Sequence, residues 1–168
     1  VTNKKYFCKA DMLNKCTAIT NMDRMFSYNN QMPACELYQN MFNGQNALVS
    51  ATALFQFTGS LTGQVGQNMF INSLGTLQNA NAMFCGCNIK EIQPGFLNRG
   101  ATNKVLRNVG CIFHNNSNAT GSSPAFWDGA LFTNIQQTTD GYYYALGNAS
   151  RLSNYAAAQA VNQNWVAT

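Results

Sequence analysis

Apolar residues recur at three- and four-residue steps through the first half of the chain. Met12, Cys16, Ile19, Met22 and Phe26 fall on one side of a 3.6-residue period, which predicts a helix over about 10–27. The stretch SYNNQMP breaks that pattern. Pro33 suits the first turn of a second helix carrying Glu36, Leu37, Tyr38, Met41 and Phe42, and Asn43-Gly44 stops it. Two more helices are predicted over about 46–58 and 65–84, hinged between Thr58 and Gly63. The second carries Phe70, Leu74, Leu77 and Phe84.

After residue 89 the texture changes. CNIKEI and KVLRNVGCIF read as strands pairing across the turn-rich QPGFLNRGATN. Asp128-Gly129 and Asp140-Gly141 carry the composition of two-residue hairpin turns. Together they predict an antiparallel meander over about 125–127, 130–137 and 142–146. From about 150 to 164 the pattern is helical again, with Leu152, Ala156 and Ala160 on a narrow apolar face and Trp165 anchoring its end. The expected architecture is α+β in a single domain over 1–168. It has a helical part (about 9–84), a mixed or sheet part (about 85–147) and a C-terminal helix. No internal repeat is read in the sequence.

Charge alters this picture more than length does. Only 10% of the 168 residues are Asp, Glu, Lys or Arg, and none stands between Glu36 and Lys90, a run of 53 positions. Amides replace the charges: 24 Asn and 12 Gln. The uncharged run fits a core layer, an oligomer-forming hairpin or a membrane-active segment; its many amides argue against the last. The net charge of +4 comes from scattered basic residues, with no basic face for nucleic acid. No apolar stretch of 18 residues predicts a transmembrane span. There is no basic-then-apolar leader at Val1, so the chain either was never exported or has lost one, and the cysteines favour the second.

Those cysteines are Cys8, Cys16, Cys35, Cys85, Cys87 and Cys111. An even number in a small, charge-poor chain predicts three disulfides and an extracytoplasmic location: secreted, periplasmic or cell-surface. Cys85 and Cys87 are too close in sequence to bridge each other without strain. Their expected role is to staple the helical half to the sheet. Cys16 with Cys35, and Cys87 with Cys111, are conceivable pairs. The rival reading is a zinc site from Cys85, Cys87, Cys111 and His114, a complete set by ligand type. Redox chemistry is disfavoured because no C-x-x-C occurs.

Catalytic chemistry finds little support. His114 is the one histidine, two of the six acids sit in Asp-Gly turns, and no nucleophile-elbow, phosphate-loop or metalloprotease motif is present. No cofactor is implied. The sequons at Asn115, Asn118 and Asn148 match the number expected by chance in so Asn-rich a chain. The leading expectation is a non-catalytic structural subunit, working by protein–protein packing with itself or within a larger assembly. The alternative is a glycan-binding module using Trp127, Asn134, Gln136 and Tyr143 on the predicted meander.

Overall fold

The computed structural model describes residues 13, 15–28, 35–37, 40–135 and 139–168, with no side-chain description for residues 35, 36, 139 and 140. It overturns the α+β reading. The chain is a parallel solenoid in which the same short ladder recurs once per coil. Parallel bridges join Asn21 to Ser50, Ser50 to Asn79 and Asn79 to Asn108, steps of 29 residues. The final step is 33, from Asn108 to Gly141, whose carbonyl accepts from Val109 N–H as Asn108 accepts from Ala80. The ladders are therefore 21–28, 50–57, 79–86, 108–115 and 141–148.

Within each ladder the backbone runs as consecutive turns rather than as a flat strand. In the coil at 79–86, Met83 N–H donates to Ala80 O, Cys85 to Ala82 and Cys87 to Phe84. The fourth and eighth ladder residues take positive φ in every coil. The fourth are Arg24, Ala53, Ala82, Cys111 and Tyr144; the eighth are Tyr28, Phe57, Gly86, Asn115 and Asn148. A side chain at positive φ is disfavoured by about 1–2 kcal/mol. The cost is tolerated because it turns alternate N–H groups toward the next coil. Ala80, Ala82, Phe84 and Gly86 donate to Asn108, Gly110, Ile112 and His114, all at 2.7–3.0 Å.

These turns place the second, fifth and sixth ladder residues inward. Met22, Ala51, Ala80, Val109 and Tyr142 are buried at the second position; Leu54–Phe55, Met83–Phe84 and Ile112–Phe113 are buried at the fifth and sixth. The spacing i, i+3, i+4 is that of a helix, which is why the sequence pattern suggested helices over 10–27, 46–58 and 65–84. The described parts of those spans hold turns, a strand and a three-residue 3-10 helix at Ile71–Ser73.

Four short strands form a second wall: β1 (Cys35–Leu37), β2 (Leu61–Val65), β3 (Glu91–Ile92) and β4 (Thr120–Gly121). They pair in parallel in chain order. CNIKEI thus contributes to a parallel sheet and not to a hairpin with KVLRNVGCIF. A third wall repeats Leu48, Leu77, Leu106 and Ile135, all buried, at 29-residue intervals. The expected meander is absent from the described residues. Asp128 instead accepts Ala130 N–H at 2.8 Å in a tight turn, Phe132 bridges Asn103 in parallel, and Asp140-Gly141 lies in the one-turn helix α1 (Thr139–Tyr142).

The C-terminal helix expected over about 150–164 is the seven-residue α2 (Tyr155–Val161), which buries Ala158 and leaves Ala156 and Ala160 exposed. The segment after it closes the stack: Tyr144 N–H donates to Asn164 O and Leu146 N–H to Trp165 O. Trp165, fully buried, packs on Tyr142 at 4.5 Å and edge-on to Trp127 at 6.0 Å. No helix among the described residues is long and apolar enough to cross a membrane.

The disulfide staples are also corrected. Cys16, Cys85, Cys87 and Cys111 are free thiols. Cys8 lies outside the described residues and Cys35 is described by backbone alone, so neither expected pairing, Cys16 with Cys35 or Cys87 with Cys111, is found. The joint at Cys85-Gly86-Cys87 is an ordinary ladder end. Gly86, at φ +67, leaves room for the Phe57 ring, which a Cβ would meet at 2.5 Å.

Candidate functional site

The two ends of the stack differ. At the C-terminal end the ladder donors Tyr144 and Leu146 are taken by residues 164 and 165. At the other end stands the ladder 21–28. In every later coil the odd-numbered ladder carbonyls accept from the coil before: Ser50 from Met22, Thr52 from Arg24, Leu54 from Phe26 and Gln56 from Tyr28. The equivalents in the first ladder are the carbonyls of Asn21, Asp23, Met25 and Ser27, and no described residue donates to them. Beside this row of acceptors, Met25 is 43% exposed and Tyr28 63% exposed. Tyr28 leans on Phe57, itself 39% exposed, with ring centroids 5.2 Å apart. An edge of unpaired backbone acceptors with an apolar rim is a template for pairing with another chain.

Asp23 fixes the geometry of this edge. Its Oδ1 accepts from Thr52 N–H at 2.7 Å and from the Ser50 hydroxyl at 2.6 Å. It thereby replaces the local cap that Asn79 and Asn108 provide in their own coils, where the side-chain oxygen takes the N–H two residues on. Its Oδ2 accepts from Asn21 Nδ2 at 3.2 Å.

The cysteine and histidine residues divide between the two sides of the ladder wall. Cys87 points inward and donates to Phe55 O at 2.9 Å. Cys85 packs with Ala53, Ala82 and Cys111, and its sulfur lies 3.8 Å from His114 Nδ1. The His114 ring is 6.0 Å from that of Tyr144, over Gly147. The four members of the expected zinc set are thus not brought together, and among the described residues no group of three or more metal-ligating side chains is placed to hold an ion.

Burial pushes the Cys85 thiol up to about 11, with the neighbouring Cys111 adding to it and a hydrogen bond from Gln56 opposing. Burial pushes Cys87 up to about 12 and also raises Cys111; it lowers His114. The pair at 85 and 114 is therefore a neutral thiol beside a neutral imidazole, not an activated nucleophile. Against the ordinary thiol at 9.0, the Cys87 thiolate fraction is about a thousandfold smaller. Alkylation of the native chain at mildly alkaline pH should therefore modify exposed Cys16 early and Cys87 only on unfolding. Peptide mass mapping over time reads this, and equal rates at the two positions would contradict the buried placement.

The residues expected to bind glycan are scattered. Trp127 is half-buried against Trp165, and Tyr143 is half-buried edge-on to Tyr144 at 4.8 Å. Asn134 is exposed and donates to Lys104 O, and Gln136 lies outside the described residues. The three sequon asparagines are exposed on adjacent coils; Asn148 Nδ2 donates to Asn115 Oδ1 at 2.7 Å, and Asn118 Nδ2 to Asn88 Oδ1 at 3.2 Å. The open edge itself was missed in the sequence, although MF, LF, MF and IF at 25, 54, 83 and 112 carry its repeat. No protein-family model matches the chain, and the searches of curated proteins and of solved structures find no match either.

Proposed function

We propose that this chain is a non-catalytic solenoid subunit that works outside the cytoplasm by protein–protein packing, with the ladder edge at 21–28 as its docking surface. The observation that carries the reading is the row of carbonyls at Asn21, Asp23, Met25 and Ser27, unpaired among the described residues where every later coil has its odd ladder carbonyls filled. The partner is a segment running parallel to 21–28 that donates alternate backbone N–H groups and covers Met25 and Tyr28. A head-to-tail copy would supply only part of it, because two of its four ladder donors, Tyr144 and Leu146, are already engaged. The free thiols remove disulfides as support for the extracytoplasmic location, which now rests on the charge-poor, amide-rich composition.

Fluorescence anisotropy with a labelled peptide copying the ladder sequence SATALFQF (50–57) tests the edge. Binding should be saturable. It should be lost with a peptide carrying Pro at alternate positions, which removes the donors, and lost in Met25→Asp, which places a charge on the apolar rim. Equal binding of the proline peptide, or no binding of either, would overturn the proposal.

A further inference from the structure

A cavity of about 410 Å³ opens on another part of the surface, between the segment 94–100 and residues 122–125. Its size is at the small end for ligand pockets, which run from about 300 to 1,000 Å³. Arg99 lines it, exposed, and forms no ion pair with any described residue; no carboxylate is among the residues that line the cavity. Next to Arg99, Asn98 is only 3% exposed and also lines the cavity. Its Oδ1 accepts Gly100 N–H at 3.1 Å, while its Nδ2 meets no acceptor among the described residues. That nitrogen is not sealed from solvent, so a ligand oxygen in the cavity would take the place of water on it.

The Gln67 amide is equally uncommitted. It lies over Gly95, where a Cβ would meet Oε1 at 2.9 Å, so glycine at 95 leaves it room. The facing wall is rigid by contrast. Asn154 donates to Ser123 O at 2.8 Å and accepts Ser123 N–H at 3.1 Å, which ties two coils together. Leu131 supplies an apolar surface.

We infer that this cavity binds a small carboxylate-bearing sugar, a uronic-acid unit. Arg99 would take the carboxylate in a charge-assisted pair, and Asn98 and Gln67 would donate to ring or hydroxyl oxygens against the wall held by Asn154. The site stands apart from the edge at 21–28, so either reading can fail without the other.

Isothermal titration of the full chain with glucuronate, glucose and acetate tests it. Glucuronate should bind, with glucose and acetate each at least about tenfold weaker, because neither offers both the charge and the hydroxyls. Arg99→Gln, at an exposed position, should leave the melting temperature unchanged and weaken glucuronate about tenfold or more. Absence of glucuronate binding, binding unaffected by Arg99→Gln, or acetate binding as tight as glucuronate would each overturn the inference.

Discussion

Replacing Phe84 with alanine is expected to remove about 4 kcal/mol of stability, seen as a fall of about 10 °C in melting temperature and a matching drop in the urea midpoint. Phe84 is fully buried at the centre of a ring stack that runs through four coils. Phe26 to Phe55, Phe55 to Phe84 and Phe84 to Phe113 are spaced 5.2, 5.7 and 5.9 Å, with interplanar angles of 14°, 13° and 10°. Phe96 meets Phe84 and Phe113 from the side at 6.0 and 5.9 Å. Deleting the central ring leaves a cavity that the neighbours cannot fill, because each is held in register by its own ladder hydrogen bonds. Coil-to-coil contact is also the only coupling in a solenoid, so the loss falls on the interface between the two halves. Phe57→Ala is the internal comparison: that ring is 39% exposed and its removal should cost about 1 kcal/mol. Similar losses for the two variants would mean that the stack does not hold the coils together.

The same stacking explains how the sequence misled. A ladder of consecutive turns buries residues two, five and six, and a helix buries i, i+3 and i+4. Ala80, Met83 and Phe84 satisfy both, so hydrophobic periodicity cannot separate them. What differs is recurrence. Phe26, Phe55, Phe84 and Phe113 are 29 residues apart, and so are Leu48, Leu77 and Leu106, but the intervening positions vary enough to mask the repeat. The aromatic and leucine columns keep constant chemistry, whereas the second and fifth ladder columns of the same four coils vary between Met, Ala, Val, Leu and Ile.

Charge depletion has a physical cause in the same geometry. Parallel stacking places equivalent residues about 4.8 Å apart in neighbouring coils, where like charges repel. Amides carry no such penalty and bond to one another between coils, as Asn81 to Asn108 and Asn148 to Asn115 do. The uncharged run from 37 to 89 is thus a property of the stack itself. It was legible in the sequence as an anomaly, but its meaning was not. The candidate edge at 21–28 and the cavity at Asn98 and Arg99 were not legible, because both depend on which residues the coil pitch brings side by side.

Asn116→Leu is expected to cost about 3 kcal/mol although it places an apolar side chain of similar size in a buried site. Asn116 is 1% exposed, and its amide nitrogen contacts the carbonyls of Phe84 at 2.7 Å, Phe113 at 3.1 Å and His114 at 3.3 Å. Its oxygen accepts Ile89 N–H at 3.2 Å. Leucine would strand that N–H in the core. The column to which Asn116 belongs gives the control. The residue just after each of the three middle ladders donates to the sixth-position carbonyl of the coil before: Thr58 Oγ1 to Phe26 O at 2.8 Å, Cys87 Sγ to Phe55 O at 2.9 Å, Asn116 to Phe84 O. Hydroxyl, thiol and amide all serve as the donor at this position, so the Cys87 thiol fills the same place in the column as Thr58 and Asn116. Asn116→Thr should therefore keep the bond to Phe84 O, lose the acceptor for Ile89, and fall between wild type and Asn116→Leu in denaturant titration. Hydrogen exchange at the Ile89 amide separates the two contributions: it should speed up in both variants. If threonine were no better than leucine, the donor column would not be what joins the coils at this corner.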